Sequence, residues 1–393
     1  MGKKYTRIMN KVFSTLIVFM LFSLFFTSCL ADNVTVKSIS PNQYYDSRPS
    51  IWGSNIVWRR AINQNGNERI ELSEPSWIML YNVESGKTTN ITEESIKFRE
   101  GVYLHAESPD IWNDRIIYEA QSSGNSYDTN LYMYNITTKD TWKLPIMSTQ
   151  YSNGHLHTIY GDWIVYTNKE DGKRQAYLYN YNVGFYRTIV GVSENYSVYG
   201  LTMNNDYVII TTVNETNNFE ILIYNIASTD ISYLNYTGKH TQIIATSIYN
   251  NNIAVSVLKN NNNENQWNSY LYNIKREEYY RKIDNVVGVL IWDDNIAYSL
   301  NNDIYIGSND GLDIIEGRQT QYLSDIYENE IVWMSNENSG SLSGSARDNF
   351  DIYMRTVITD EEIIEMGIIG LIMVVSIITV IVIVKREKFT RMV

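Results

Sequence analysis

Ser108-Pro109-Asp110-Ile111-Trp112-Asn113-Asp114-Arg115-Ile116-Ile117-Tyr118 is the stretch on which the fold turns. It reads as a strand ending in Ile-Trp, a polar reversal, and a second strand of Ile-Ile-Tyr. The Asn and Asp of the reversal suit the tight backbone geometry of a hairpin. The same phrase recurs as Ile51-Trp52 to Trp58, Ile159-Tyr160 to Tyr166, Ile248-Tyr249 to Val255, Ile291-Trp292 to Tyr298 and Ile326-Tyr327 to Trp333. A degraded copy, Met203-Asn204 to Ile210, makes seven. Successive copies lie 35 to 60 residues apart, the length of one four-stranded propeller blade.

Working outward, each copy is followed by a third strand carrying Tyr-Asn: Leu80-Tyr81-Asn82, Met133-Tyr134-Asn135, Leu178-Tyr179-Asn180, Ile223-Tyr224-Asn225 and Leu271-Tyr272-Asn273. In the last two units it weakens to Ile304-Tyr305-Ile306 and Ile352-Tyr353-Met354. A turn and a short fourth strand follow, with the period-two alternation of packed sheets. The Trp and Tyr residues of these signatures are expected in the core between blades, and the Tyr-Asn asparagines in turns. Unit seven has only three strands, while Val34 to Ile39 is a lone strand ahead of unit one. Propellers close their open edge by lending an N-terminal strand to the last blade. The expected fold is therefore all-β: a seven-bladed β-propeller over residues 33–359, with a six-bladed form as the alternative if unit four, with Asn204, fails to form.

The two ends read differently. Residues 1–31 have a basic start (Lys3, Lys4, Arg7, Lys11), an apolar run and small residues near Ala31, the pattern of an export signal. Phe26-Thr27-Ser28-Cys29 loosely resembles a lipobox, so lipidation of Cys29 is the alternative to simple cleavage near Ala31. Residues 363–384 form an apolar run of 22 residues, about 33 Å as a helix, against a hydrocarbon core of about 30 Å. Lys385, Arg386, Lys388 and Arg391 follow, so residues 385–393 are expected as a cytoplasmic tail, with the propeller extracellular on a single-pass membrane anchor. Cys29 is the only cysteine, which leaves the mature domain without internal disulfides.

A net charge of −12 and no basic stripe in the body argue against nucleic acid as a partner. Six sequons, at Asn33, Asn90, Asn135, Asn195, Asn214 and Asn235, permit glycosylation without indicating it.

The repeat resembles that of TolB-like proteins and archaeal cell-surface propellers. The resemblance is clearest over residues 108–118, continuing to Asn130-Leu131-Tyr132-Met133-Tyr134-Asn135; unit one repeats it as Arg48-Pro49-Ser50-Ile51-Trp52, and the rest matches in rhythm only. TolB also has an amino-terminal α/β domain that this sequence lacks, so the resemblance implies no Tol-system role. It implies a non-enzymatic surface module that binds protein or glycan.

The longest loops expected on the binding face are 59–76, 119–129 and 335–349, and closure would make units seven, one and two neighbours there. Arg59, Arg60, Trp77, Tyr127 and Trp267 are the candidate rim residues. A second reading is a glycan-active enzyme at the channel mouth. It would use His105, His155, His157 and His240 with the carboxylates Asp46, Glu107 and Asp325, and would require them to converge. A third is a structural component of the cell envelope. There is no Gly-x-Ser-x-Gly elbow, no catalytic residue is assigned, and no cofactor is implied.

Overall fold

A computed structural model of the chain describes residues 36–41, 44–61, 75–92, 104–122, 129–147, 156–170, 173–189, 196–234, 236, 242–261, 264–308, 311–316, 321–328, 330–335, 350–356 and 372. The expected export signal, the tail, and the apolar segment 363–384 apart from Ile372 lie outside these. Among the described residues no helix is long and apolar enough to cross a membrane. The chain divides into two compact units, one of residues 37–354 and one of 1–36 with 355–393; the sheets belong to the first.

Those sheets are antiparallel and four-stranded, except that units one and two join into one eight-stranded sheet through a single parallel bridge, Ser76 to His105. The first strands of the seven units are Tyr45–Trp52, Leu104–Trp112, His157–Tyr160, Tyr196–Met203, Gln242–Tyr249, Leu290–Trp292 and Gln321–Tyr327. Unit four forms its own sheet of four strands despite Asn204. The last sheet has the order Lys37–Ser38, Asp351–Thr356, Glu330–Ser335, Gln321–Tyr327. The N-terminal strand thus completes it, with Lys37 opposite Met354 and Ser38 opposite Tyr353.

Backbone chemistry explains the hairpins. Directly after the aromatic of the first strand, Gly53, Asn113, Gly161, Asn250, Asp293 and Glu328 all take φ between 49° and 60°. This left-handed geometry matches the strand twist in two-residue hairpins. Unit four reaches the same turn by another route. Neither Asn205 nor Asp206 has positive φ; instead Asn204 Oδ1 accepts hydrogen bonds from the amides of Asp206 and Tyr207, both at 2.9 Å. The Tyr-Asn asparagines act as expected. Asn135 Oδ1 accepts from the amides of Thr137 (2.7 Å) and Thr138 (2.8 Å), and Asn82, Asn180, Asn225 and Asn273 do likewise in their own turns. Asn135 is 6% exposed.

The core lies between neighbouring units. Ile111 packs with Val57, Ile78 and Leu80 of unit one, Ile159 with Ile117 and Met133 of unit two, Ile248 with Ile209 and Ile223 of unit four, and Ile291 with Ala254 and Leu271 of unit five. At the closure, Ile51, Ile56 and Trp58 meet Val332, Ile352 and Met354. Each buried isoleucine contributes about 1.5 to 3 kcal/mol relative to exposure. Second- and third-strand aromatics such as Trp58, Tyr118, Trp333, Tyr134 and Tyr224 are buried, as expected. The first-strand aromatics Trp52, Trp112, Tyr160, Tyr249 and Tyr327 are partly buried and pack against these same clusters, as expected. Adjacent residues on a strand face opposite sides, so Ile51 packs in the cluster shared with unit seven and Trp52 against the one shared with unit two, and Ile111 and Trp112 divide in the same way between units one and three.

Candidate functional site

Five of the seven first strands, those of units one, two, three, five and seven, carry a polar residue, then the isoleucine, then the aromatic, so polar and aromatic residues share one face, about 7 Å apart. The aromatics gather into one layer. Trp52 lies 3.5 Å from Trp112, 4.5 Å from Tyr327, 5.6 Å from Trp292 and 6.1 Å from Tyr160, ring centre to ring centre. Trp112 meets Tyr160 at 3.6 Å, and Trp292 meets Tyr249 at 4.9 Å and Tyr327 at 4.7 Å. Contacts between units one and three, and between one and six, are made across the axis on which the first strands converge.

The polar layer is a hydrogen-bonded chain running from unit to unit. Asp325 Oδ2 accepts from the Ser50 hydroxyl (2.8 Å) and the Ile51 amide (2.9 Å). Ser50 Oγ is also 3.0 Å from Asp110 Oδ1, while Asp110 Oδ2 accepts from the Thr158 hydroxyl (2.7 Å) and the Ile159 amide (3.0 Å). Ser50 therefore stands between two carboxylates with one proton to give. Asp325 is only partly buried as a residue, yet its carboxylate is desolvated. That burial, reinforced by the charge of Asp110 and opposed by the Ile51, Ser50 and Ile326 hydrogen bonds, raises its pKa to about 7.

Above this chain opens a cavity of about 410 Å³ lined by Arg48, Ser50, Ser108, Asp110, His157 and Asp325 among others. Its walls owe their shape to bulges. The pairing register slips between Ser47 and Ser50, between Glu107 and Asp110, and between Leu323 and Asp325. Pro49 and Pro109 lie within the first two bulges, where a residue without an amide proton is tolerated. Arg48 and Ser108, both at positive φ, hydrogen-bond to each other across units one and two.

The residues selected from sequence are dispersed. Asp46 is fully buried and held by Arg60 through two bonds of 2.8 Å, with the Arg60 guanidinium over the Tyr44 and Trp58 rings. Glu107 bonds His105 Nε2 at 2.6 Å and lies 3.5 Å from Arg59 Nη2. Burial pushes its pKa up, but the His105 hydrogen bond and the charges of Arg59, His105 and Arg48 outweigh this and bring it to about 2. Asp325 belongs to the polar chain. His105 and His157 lie in first strands, not just before them. His157 is buried, with Nε2 2.7 Å from the Ser108 carbonyl and Nδ1 3.5 Å from Glu119 Oε1. The required convergence is not found for these residues, and no group of three or more His, Cys, Asp or Glu among the described residues is placed to hold a metal. His155, His240 and Tyr127 lie outside the described residues, as does most of each long loop.

Of the rim candidates, Arg59 and Arg60 are engaged in the ion pairs just given, Trp77 packs against the cores on both sides of unit one, and Trp267 stands opposite Leu258 in unit five. Ser76, His105 and Glu107 superficially form a Ser–His–acid series, with Ser76 Oγ 3.2 Å from His105 Nδ1. Ser76 is fully buried, however, and donates to the Ala106 carbonyl at 2.8 Å. The series fastens unit one to unit two and presents no nucleophile. Sequence reasoning passed over Ser50, Asp110 and Thr158, although the polar residue before the Ile-aromatic pair was visible in five units.

No protein-family model and no curated protein matches the chain. Among solved structures, the β-propeller domain of the Trilobed protease from Pyrococcus furiosus is similar at a TM-score of 0.53 and 12% identity, covering 75% of this chain and 91% of that one. That domain is described as having an open velcro topology, whereas here the N-terminal strand closes the last sheet. The uncomplexed acylaminoacyl peptidase of Pyrococcus horikoshii gives 0.52 at 10% identity over 81% of this chain and 52% of its own, so the chain spans about half the length of that peptidase. TolB from Acinetobacter baumannii gives 0.39 at 9% identity, covering 72% and 60%. At these identities the likeness establishes the β-propeller fold alone.

Proposed function

We propose that the seven four-stranded units close as a seven-bladed propeller that serves as a non-enzymatic binding module, taking a protein or glycan ligand at the mouth cavity. The observation that carries this reading is the cavity over the polar chain, where hydroxyls and carboxylates of units seven, one, two and three are held in place by one another. Fixed donors and acceptors on a rigid framework orient a ligand at little cost in conformational freedom. The chemistry suits hydroxyl- and amide-bearing ligands. In this reading the propeller is extracellular, reached through the export signal and held by residues 363–384.

The test is binding of the full chain to glycan and peptide arrays, repeated with Ser50→Ala and Asp110→Asn. A ligand retained by the parent chain and weakened roughly tenfold or more by either change supports the reading. A ligand bound equally by the parent and both variants, or one that is chemically converted on incubation, overturns it. Protease protection in sealed vesicles tests the orientation, with the propeller expected to be cleaved from outside.

A further inference from the structure

The aromatic layer lies beside the first-to-second-strand hairpins, and those of units two, three, four, six and seven are acidic. Their two-residue turns hold Asp114, Asp162, Asp206, Asp293, Asp294 and Glu328. Arg115 is paired with Asp114, and Arg276 lines one pocket with Asp293 and Asp294, while Asp162, Asp206 and Glu328 lie in turns of other units. The acids reach the rings. Asp206 acts on Tyr160, Asp293 and Glu328 act on Tyr249, and Glu328 and Glu330 act on Tyr327, where Glu328 also shares a hydrogen bond with the phenol.

All six aromatics of the layer are partly exposed, and Asp162, Asp206, Asp293, Asp294 and Glu328 are exposed. Aromatic faces carry negative electrostatic potential and attract ammonium and guanidinium groups, and neighbouring carboxylates deepen that attraction. We propose that this end of the channel docks a lysine- or arginine-bearing basic segment of a partner polypeptide. Charge complementarity selects the cation. The spread of the acids over turns of five units selects an extended polycation over a single small one, because no one point concentrates the charge. The unit-four position, where Asn204 replaces an aromatic, leaves Tyr160 and Tyr249 on either side of the break, with Asp206 beside it. This site stands two strand positions from the mouth chain and does not depend on it.

The experiment titrates the full chain with a short peptide of alternating lysine and glycine, and separately with its glutamate–glycine counterpart. Tryptophan emission, to which Trp52, Trp112 and Trp292 contribute among nine tryptophans, and calorimetry are followed together. The lysine peptide is expected to change the tryptophan emission and to bind, with affinity falling roughly tenfold in Asp206→Asn/Asp293→Asn/Glu328→Gln and falling as salt is raised. The glutamate peptide is expected to do neither. A control variant, Asp140→Asn/Asp230→Asn/Glu277→Gln, removes three exposed acids from the outer hairpins and is expected to bind like the parent. Failure of the lysine peptide to bind at low salt overturns the proposal. So does an equal loss in both triple variants, which would mark non-specific attraction to an acidic protein. Retention of lysine-peptide binding in Asp110→Asn separates this site from the mouth, and its loss there would also overturn the proposal.

Discussion

One three-residue phrase, polar–Ile–aromatic, builds two layers of opposite character in the same channel. In the polar layer, Asp325, Ser50, Asp110 and Thr158 are joined by directional bonds, each of which needs a donor matched to an acceptor. In the aromatic layer, Trp52 touches four other rings and depends on shape and area. The polar layer is short of one proton and therefore sensitive to pH. The aromatic layer should be indifferent to pH and sensitive to volume. A repeat can thus place chemically adjustable and chemically inert functions side by side simply because a strand shows the same face every second residue.

The contrast is sharpened most by removing its hub. Trp52→Ala is expected to destabilise the domain by about 3 kcal/mol in urea unfolding, against about 1 kcal/mol for Tyr249→Ala, whose ring contact in the layer is with Trp292. Equal effects would mean that the layer does not act as a connected unit. Next, Asn204→Ala removes the acceptor for two turn amides and is expected to cost about 1 to 2 kcal/mol. Asn204→Asp keeps that acceptor but sets a carboxylate oxygen against the Asn250 carbonyl, to which Asn204 Nδ2 donates at 2.6 Å, and should not recover the loss.

The smallest expected effect concerns pH. Asp325 has a folded pKa of about 7, raised above its ordinary carboxylate value near 3.8, so the folded state binds the proton more tightly than the unfolded one. Its contribution is therefore fully present below about pH 4 and is lost as pH rises through 7. The fall is confined to the window between about pH 4 and 7. Asp325→Asn, which carries a permanent donor toward Ser50, should flatten the fall in unfolding free energy between pH 4 and 8. An unchanged slope would break the assignment. Glu107 has the opposite sign: its pKa is depressed to about 2, and its contribution is lost as pH falls from about 4.5 toward 2. The two windows scarcely overlap.

The repeat was legible because hairpin turns and strand alternation impose a rhythm that single residues cannot disguise. Closure was legible as well, since three strands at one end and a lone strand at the other leave one economical solution. The site was less so. His105 and His157 drew notice for their chemistry, yet one fastens unit one to unit two and the other lies buried between Ser108 and Glu119. Asp46 looked available because its partner, Arg60, is opposite it only once the first two strands of unit one pair. Pro49 and Pro109, inside strands, were the missed clue to the bulges that shape the cavity. The first-strand aromatics were read as inter-unit core, and Trp52, Trp112, Tyr160, Tyr249 and Tyr327 do pack against it; the ring layer that they also form with one another was not visible in the sequence.

The closing strand, Lys37 with Ser38, also sets an order in time. The Ile352 amide bonds the Ser40 hydroxyl across 312 residues of chain, so a ribosome adding about 5 to 20 residues per second leaves the two waiting roughly 15 to 60 seconds to meet. Through that interval Trp52 lacks Tyr327, its neighbour from unit seven, and the early units exist as an open arc with a raw sheet edge. A clasp only two residues long keeps the waiting edge too short to recruit a neighbouring chain, at the cost of being the first pairing to let go when the ends are pulled.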